Sequence, residues 1–264
     1  MNALQRFEYV ALRLVRRFFF NEKIANRLAR WLPYYAPSVG EHEPERIIAQ
    51  YAADLAQAGR QLAGMRVLEV GAGRTNGVGY GLVAAGAVSA SLLEPFVEFD
   101  AQGDQALRQA SKALTDVDTT KVCRSRSFAQ IAPASIDLLL SNSVLEHVRD
   151  TAAFFADCAR VLAPGGVMLH RVDYRDHFFK YPYGFLTFSD ATWSRWLDPG
   201  DLPRWRLSDH LSAMRDAGFD VSVFDRQTLP DAFDRVRRQL TGRFAQPLPD
   251  IDVTGAVLLA HVSA

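Results

Sequence analysis

The segment Val67-Leu-Glu-Val-Gly-Ala-Gly-Arg-Thr-Asn-Gly77 constrains the fold more than any other part of the chain. Met65 to Val70 is a short apolar run of the kind that forms a buried strand. It enters a loop carrying Gly71, Gly73 and Gly77, and Gly77 to Ala85 then reads as a helix. Glycine at such a turn lets the chain reverse sharply and lets a ligand approach the backbone.

The alternation continues downstream. Val88 to Leu93 reads as a second strand, Phe99 to Leu114 as a helix, Lys121 to Cys123 as a short third strand and Ile136 to Leu140 as a fourth. Asp150 is a good N-cap for a helix through Val161. Ala163-Pro-Gly-Gly166 stops that helix before a fifth strand, Val167 to Val172. A helix from Leu207 to Ala217 ends at Gly218. A strand (Val221 to Phe224), a helix (Asp231 to Leu240) and a last strand (Val257 to Val262) follow. Strands alternating with helices predict an α/β fold, Rossmann-like and doubly wound. Its mostly parallel seven-stranded sheet carries helices on both faces, with an N-terminal helical segment added. Residues 1–44 are assigned to that segment and its linker (Pro33 to Pro44), and residues 45–264 to the main domain, opened by a helix from Glu45 to Ala63.

The charge balance is neutral, with 30 basic and 30 acidic residues, which argues against general electrostatic binding to nucleic acid. Cys123 and Cys158 belong to no CxxC or Cys/His cluster, so no metal site and no disulfide framework are expected. No apolar run approaches a bilayer-spanning length, and a cytoplasmic protein is expected. Residues 1–36 stand apart, with seven Arg or Lys against two Glu. Phe7, Val10 or Ala11, Leu14 and Phe18 share one helix face, with Arg6, Arg13 and Arg17 on another. Such a helix either packs its apolar side on the domain, the favoured reading, or lies on the inner face of an anionic membrane through residues 1–32.

Glu94 closes the second strand, 23 residues after Gly71. A carboxylate there can accept hydrogen bonds from both hydroxyls of a ribose, so a nucleoside-containing ligand is expected. A dinucleotide fold prefers G-x-G-x-x-G, whereas Asn76 occupies the third glycine's place. Glu69, two residues before Gly71, would oppose a diphosphate and suit a ligand carrying positive charge.

With these residues the sequence resembles the class I S-adenosylmethionine-dependent methyltransferases. The resemblance covers residues 62 to 173 and rests on VLEVGAGR, LLEP, IDLLLSNSVLEHV and LAPGGVMLH in that order. It implies S-adenosylmethionine as cofactor, with Glu69, Gly71, Ala72 and Gly73 at its methionine end, and Glu94 with Pro95 at its ribose. Ser141, Asn142 and Ser143 would then lie close to the reactive methyl. The third loop glycine of the family is Thr75 here. Arg124-Ser-Arg-Ser127 replaces the acid that often holds adenine, leaving Ser127 or a backbone group to do so. The alternatives are a NAD-dependent oxidoreductase and a non-catalytic, cofactor-binding interaction protein.

Methyl transfer needs an acceptor held in line with the methyl and, for a hydroxyl, a base. Candidate bases lie where the fourth and fifth strands end: Glu146, His147, His170, Asp173, Asp176 and His177. His177, oriented by Asp173 or Asp176, stands out, while Glu146-His147 also reads as a structural signature near the cofactor pocket and His170 is as well explained as a core histidine. Residues 174 to 205 hold ten aromatic residues among 32, against 29 in the whole chain. That insertion predicts stacking on a small-molecule or lipid-linked glycan acceptor, with a sugar oxygen as the atom to be methylated. Arg204 and Arg206 would clamp an anionic group on it, or pair with Asp201 and Asp209.

Overall fold

A computed structural model describes residues 1–19, 43–178, 180–198, 200 and 202–263. Most of the expected linker (Pro33 to Pro44), and Asp201, lie outside the described residues. Seven strands form one sheet: β1 (Arg66–Val70), β2 (Ser89–Leu93), β3 (Val122–Ser125), β4 (Ile136–Asn142), β5 (Leu162–Asp173), β6 (Phe219–Thr228) and β7 (Val253–Val262). Their order is β3-β2-β1-β4-β5-β7-β6. β3, β2, β1, β4 and β5 are joined in parallel, and β7 runs antiparallel to both of its neighbours. The apolar runs explain this arrangement, since strands such as Leu138-Leu-Leu140 can lie only where both faces are covered.

The named helices are α1 (Ala3–Phe19), α2 (Pro44–Gln57), α3 (Gly77–Ala84), α4 (Ala101–Ala110), α5 (Thr151–Val161) and α6 (Leu207–Asp216). Ile47, Tyr51 and Leu55 of α2 pack with α3 against one side of the sheet. Phe155, Cys158 and Val161 of α5 pack with Leu207 and Met214 of α6 against the other. Asp150 caps α5 as expected, accepting from Ala153 N at 2.9 Å, a contact worth about 1 kcal/mol.

Five expected elements differ. The helix at 45–63 begins at Pro44 and ends at Gln57. The helix at 99–114 is broken at Ser111, whose backbone is extended, leaving α4 and a single turn at Lys112–Thr115. The helix at 231–240 is reduced to Pro230–Asp234 and a 3₁₀ turn at Arg237–Gln239. The last two strands are longer than expected because they pair with each other over most of their length.

The N-terminal helix packs on the domain with only part of its expected face, Val10 and Leu14 lying half-buried against the second core. Tyr9 and Arg13 are fully buried, whereas Phe7 is 73% and Phe18 58% exposed. Arg13 pairs with buried Asp176, and the Tyr9 hydroxyl donates to the same carboxylate. The Tyr9 ring stacks on Phe188 at 5.4 Å between centroids. A buried ion pair with aromatic cover thus sets the docking side, in preference to the more apolar stripe.

The aromatic insertion is mainly a second core. Seven of its nine described rings (Tyr174, Phe178, Tyr181, Tyr183, Phe185, Phe188 and Trp193) are buried, and most of them cluster with Tyr9. Arg204 donates to the carbonyls of Phe185 and Phe188, both at 2.8 Å, and pairs with Asp190. Arg206 is fully buried and donates to the carbonyls of Tyr174 and Val253. Both guanidiniums are spent inside the protein, on backbone carbonyls and, for Arg204, on Asp190 as well, which corrects the expected anion clamp. Asp209 pairs with Arg243.

Candidate functional site

Strand order reverses between β1 and β4, so the chain leaves their carboxyl ends in opposite directions and opens a crevice. The glycine loop lies there. Gly71 has φ +84°, and a Cβ on it would meet Val144 Cγ2 at 2.5 Å. The loop after β1 is therefore pressed against the turn after β4, an approach that only a residue without a side chain permits. Gly73 also has positive φ, at +65°.

Two carboxylates flank the loop, and both are buried. Glu94 accepts from Gly73 N at 3.0 Å through one oxygen, and from Phe96 N and Val97 N at 3.0 and 3.1 Å through the other. It thereby ties the end of β2 to the loop. Glu69, the last residue but one of β1, has Oε2 buried and without a hydrogen-bond partner. Burial raises its carboxyl to about 8, opposed by the nearby Tyr51 hydroxyl and the Arg124 guanidinium.

Arg124 and Tyr51 were not anticipated at the site. Arg124, at the end of β3, donates to the Gly73 carbonyl and, at 3.3 Å, to the Thr75 carbonyl and Asn76 Oδ1. Its sequence signal was the base standing where an acid was sought. Tyr51 is carried by α2, which Arg171 anchors through Asp54 at 2.6 Å. Ser127 is exposed and its Oγ accepts from Ala129 N at 3.0 Å, capping a short turn. Pro95 is exposed and Ala72 half-buried.

At the end of β4 the serine and asparagine part company. Ser141 is fully buried and its Oγ bonds His170 Nδ1 at 2.6 Å, leaving only its backbone for a ligand. Burial lowers His170 to about 3, so it is a neutral core histidine. Asn142 and Ser143 line a cavity of about 690 Å³ with Arg46, Gln50, Arg171 and Arg175. Ser143 holds φ +55° and its N–H donates to the Arg171 carbonyl at 2.9 Å. The cavity lies beside the glycine loop but is not lined by it.

His147 and His177 come together, their ring centroids 4.8 Å apart and edge to face. The carboxylates expected to orient His177 hold arginines. Asp173 takes Arg175 at 2.6 Å, and Asp176 takes Arg13. Glu146 stands beside the two rings instead, and the three residues offer ligand atoms that all lie within 4.8 Å of one another. The sequence places all three at the ends of β4 and β5, but spacing along the chain gives no sign that they meet, because Glu146-His147 and His177 belong to separate segments. Glu146 is 2% exposed and neither carboxylate oxygen makes a hydrogen bond. Burial holds its carboxyl well above the ordinary range; the nearest backbone N–H groups offset this only in part.

A methyltransferase-domain family model matches residues 75–170. The chain is 26% identical over 193 residues to a ubiquinone biosynthesis O-methyltransferase of Bradyrhizobium sp. (strain ORS 278), covering 66% of this chain and 69% of that one. It is 29% identical over 169 residues to the same enzyme of Parvibaculum lavamentivorans, covering 60% and 62%. The matched region thus spans roughly two thirds of these relatives. Among solved structures, magnesium protoporphyrin IX methyltransferase from Synechocystis with bound S-adenosylhomocysteine shares the fold, with a TM-score of 0.53 and 16% identity over 95% of this chain and 99% of that one. Phosphoethanolamine N-methyltransferase 2 of Haemonchus contortus does so as well, with a TM-score of 0.53 and 16% identity over 81% of this chain and 52% of that one. Sheet order, domain match and relatives agree: this chain belongs to the class I methyltransferases that use S-adenosylmethionine.

Proposed function

We propose that the chain methylates a hydroxyl oxygen on a lipophilic aromatic small molecule, of the kind a ubiquinone-pathway O-methyltransferase takes. The observation that carries this reading is the Glu146, His147 and His177 group, two of whose members follow Val144 in the turn that presses on the glycine loop, in a chain whose curated relatives are O-methyltransferases. The expected sugar oxygen had rested on aromatic rings that are mostly packed into the second core.

The loop fits a cationic adenosyl ligand. Glu69, buried with an unpartnered oxygen, offers a counter-charge, and Gly71, Ala72 and Gly73 give it a surface without large side chains. Glu94 and Pro95 would receive the ribose, and Ser127 lies on the adenine side. The backbone of Ser141, with Asn142 and Ser143, would border the reacting end. The cofactor supplies an electrophilic methyl on a sulfonium. The protein holds the acceptor, excludes water and draws off its proton. His147 and His177 are placed for that last task, while Asp173 positions Arg175 at the cavity wall.

No helix among the described residues is long and apolar enough to cross a membrane. Leu4, Phe7, Leu12, Val15 and Phe18 of α1 nevertheless face outward. This stripe would let the protein rest on a bilayer that dissolves a lipophilic acceptor.

The test is methyl transfer from isotope-labelled S-adenosylmethionine to a panel of alkylated hydroxybenzenes and to nucleotide- and lipid-linked sugars. Labelled methyl ethers of the hydroxybenzenes are expected. Labelling of sugars alone would refute the reading. Vesicle sedimentation should lose bound protein when Phe7 and Phe18 become Ser; equal sedimentation would remove the membrane part.

A further inference from the structure

The glycine loop keeps its path by means that its own residues do not supply. Thr75 stands in place of a third glycine, and Gly71 and Gly73 are the residues of the loop with positive φ. The rest of the loop is tied from outside. The Gly73 carbonyl, the Thr75 carbonyl and Asn76 Oδ1 all accept from the Arg124 guanidinium on β3, the latter two at 3.3 Å. Gly73 N donates to Glu94, Asn76 N donates to Asp104 at 2.6 Å, and the Arg74 carbonyl accepts from Asp100 N at 2.8 Å. One rigid, forked donor thus gathers three acceptors of the loop, which the single ammonium of a lysine could not do.

We propose that Arg124 is a positioning residue for the cofactor: it fixes the glycine loop and sets the balance of affinity between S-adenosylmethionine and its demethylated product.

The second half of that role follows from charge. Arg124 is half-buried and interacts with the carboxylates of Glu94, Asp104 and Glu69. Glu69 and Glu94 flank the loop, and their field favours a sulfonium. The guanidinium cancels part of that field. S-adenosylmethionine carries one positive charge more than S-adenosylhomocysteine, so it loses more by the cancellation. A cation at this position therefore narrows the gap between substrate and product, whereas an acid would widen it. This role concerns the cofactor and holds whichever acceptor is methylated.

The experiment is calorimetry of the full chain with S-adenosylmethionine and with S-adenosylhomocysteine, above pH 8, where Glu69 is ionised, at low and at high salt. Arg124→Lys keeps the charge and loses the fork, so both affinities should fall together, by about tenfold. Arg124→Met loses both. The ratio of its two dissociation constants should move about threefold or more toward S-adenosylmethionine at low salt, and less at high salt. Arg126→Gln removes a neighbouring cation that pairs with exposed Glu98, and should leave both affinities and their ratio as in the parent chain. Thermal melting reports whether each variant folds; should Arg124→Met fail to fold, Arg124→Gln carries the same comparison. Parental affinities in Arg124→Lys overturn the hold on the loop. An unchanged ratio in Arg124→Met, or an equal change of ratio in Arg126→Gln, overturns the charge role. A parent chain that binds neither ligand overturns the cofactor assignment and the role of Arg124 with it.

Discussion

Asp176, in the segment after β5, closes onto Arg13 of α1, 163 positions away in sequence, with both side chains fully buried. The carboxylate also accepts from Phe178 N and Phe185 N, both at 2.9 Å. One buried acid therefore holds the N-terminal helix to the second core.

Removing one half of that pair should be costly. Arg13→Ala leaves a buried charge uncompensated and should destabilise the protein by about 3–5 kcal/mol in urea unfolding. Replacing both members by Met and Leu should cost far less. A loss below about 1 kcal/mol in Arg13→Ala would show that α1 is not held in this way.

Glu94 is expected to carry most of the ribose affinity. Glu94→Gln keeps the shape but removes charge-assisted acceptance, worth about 1.5–3 kcal/mol per bond. The dissociation constant for S-adenosylhomocysteine should rise by tenfold or more in calorimetry. Unchanged affinity would leave Glu94 only its structural bonds to the loop.

Glu69 gives stability a pH dependence. Burial raises its carboxyl from the ordinary 4.5 to about 8. Between those values the folded chain holds a proton that the unfolded chain has released, so stability falls as pH rises and levels off above about 8. A cationic ligand prefers the ionised form, so affinity for S-adenosylmethionine should climb over the same range. Glu69→Gln should flatten both trends, and persistence of both slopes in that variant would assign them elsewhere.

Gly71→Ala combines a forbidden φ with a clash on Val144. A loss of about 1–3 kcal/mol is expected, together with weaker cofactor binding. Adding Val144→Ala should relieve the clash but not the dihedral, giving partial recovery in thermal melts. Full recovery would mean that contact alone required the glycine.

The centre of the sheet was legible because β1 and β4 are short apolar runs between turn signals, and the glycine loop and Glu94 were legible because their spacing along the chain is their geometry. The contact of Glu146 with His177 was not, since 31 positions of chain, α5 and β5 separate two residues that the sequence placed only at the ends of neighbouring strands. Arg204 and Arg206 looked like surface charges because nothing in a sequence marks which carbonyls lie buried and short of donors. On α1, periodicity revealed an apolar face, but the inward side was chosen by Asp176, a residue on a distant segment.

β7 lies between β5 and β6. During synthesis β6 therefore emerges with no neighbour to pair with, and its backbone donors and acceptors wait for a strand not yet made. Until residues 253–262 arrive, the nascent protein presents two raw edges, on β5 and β6, to any chaperone or aggregating partner nearby. The vulnerable interval in its biogenesis is set by strand order rather than by overall stability.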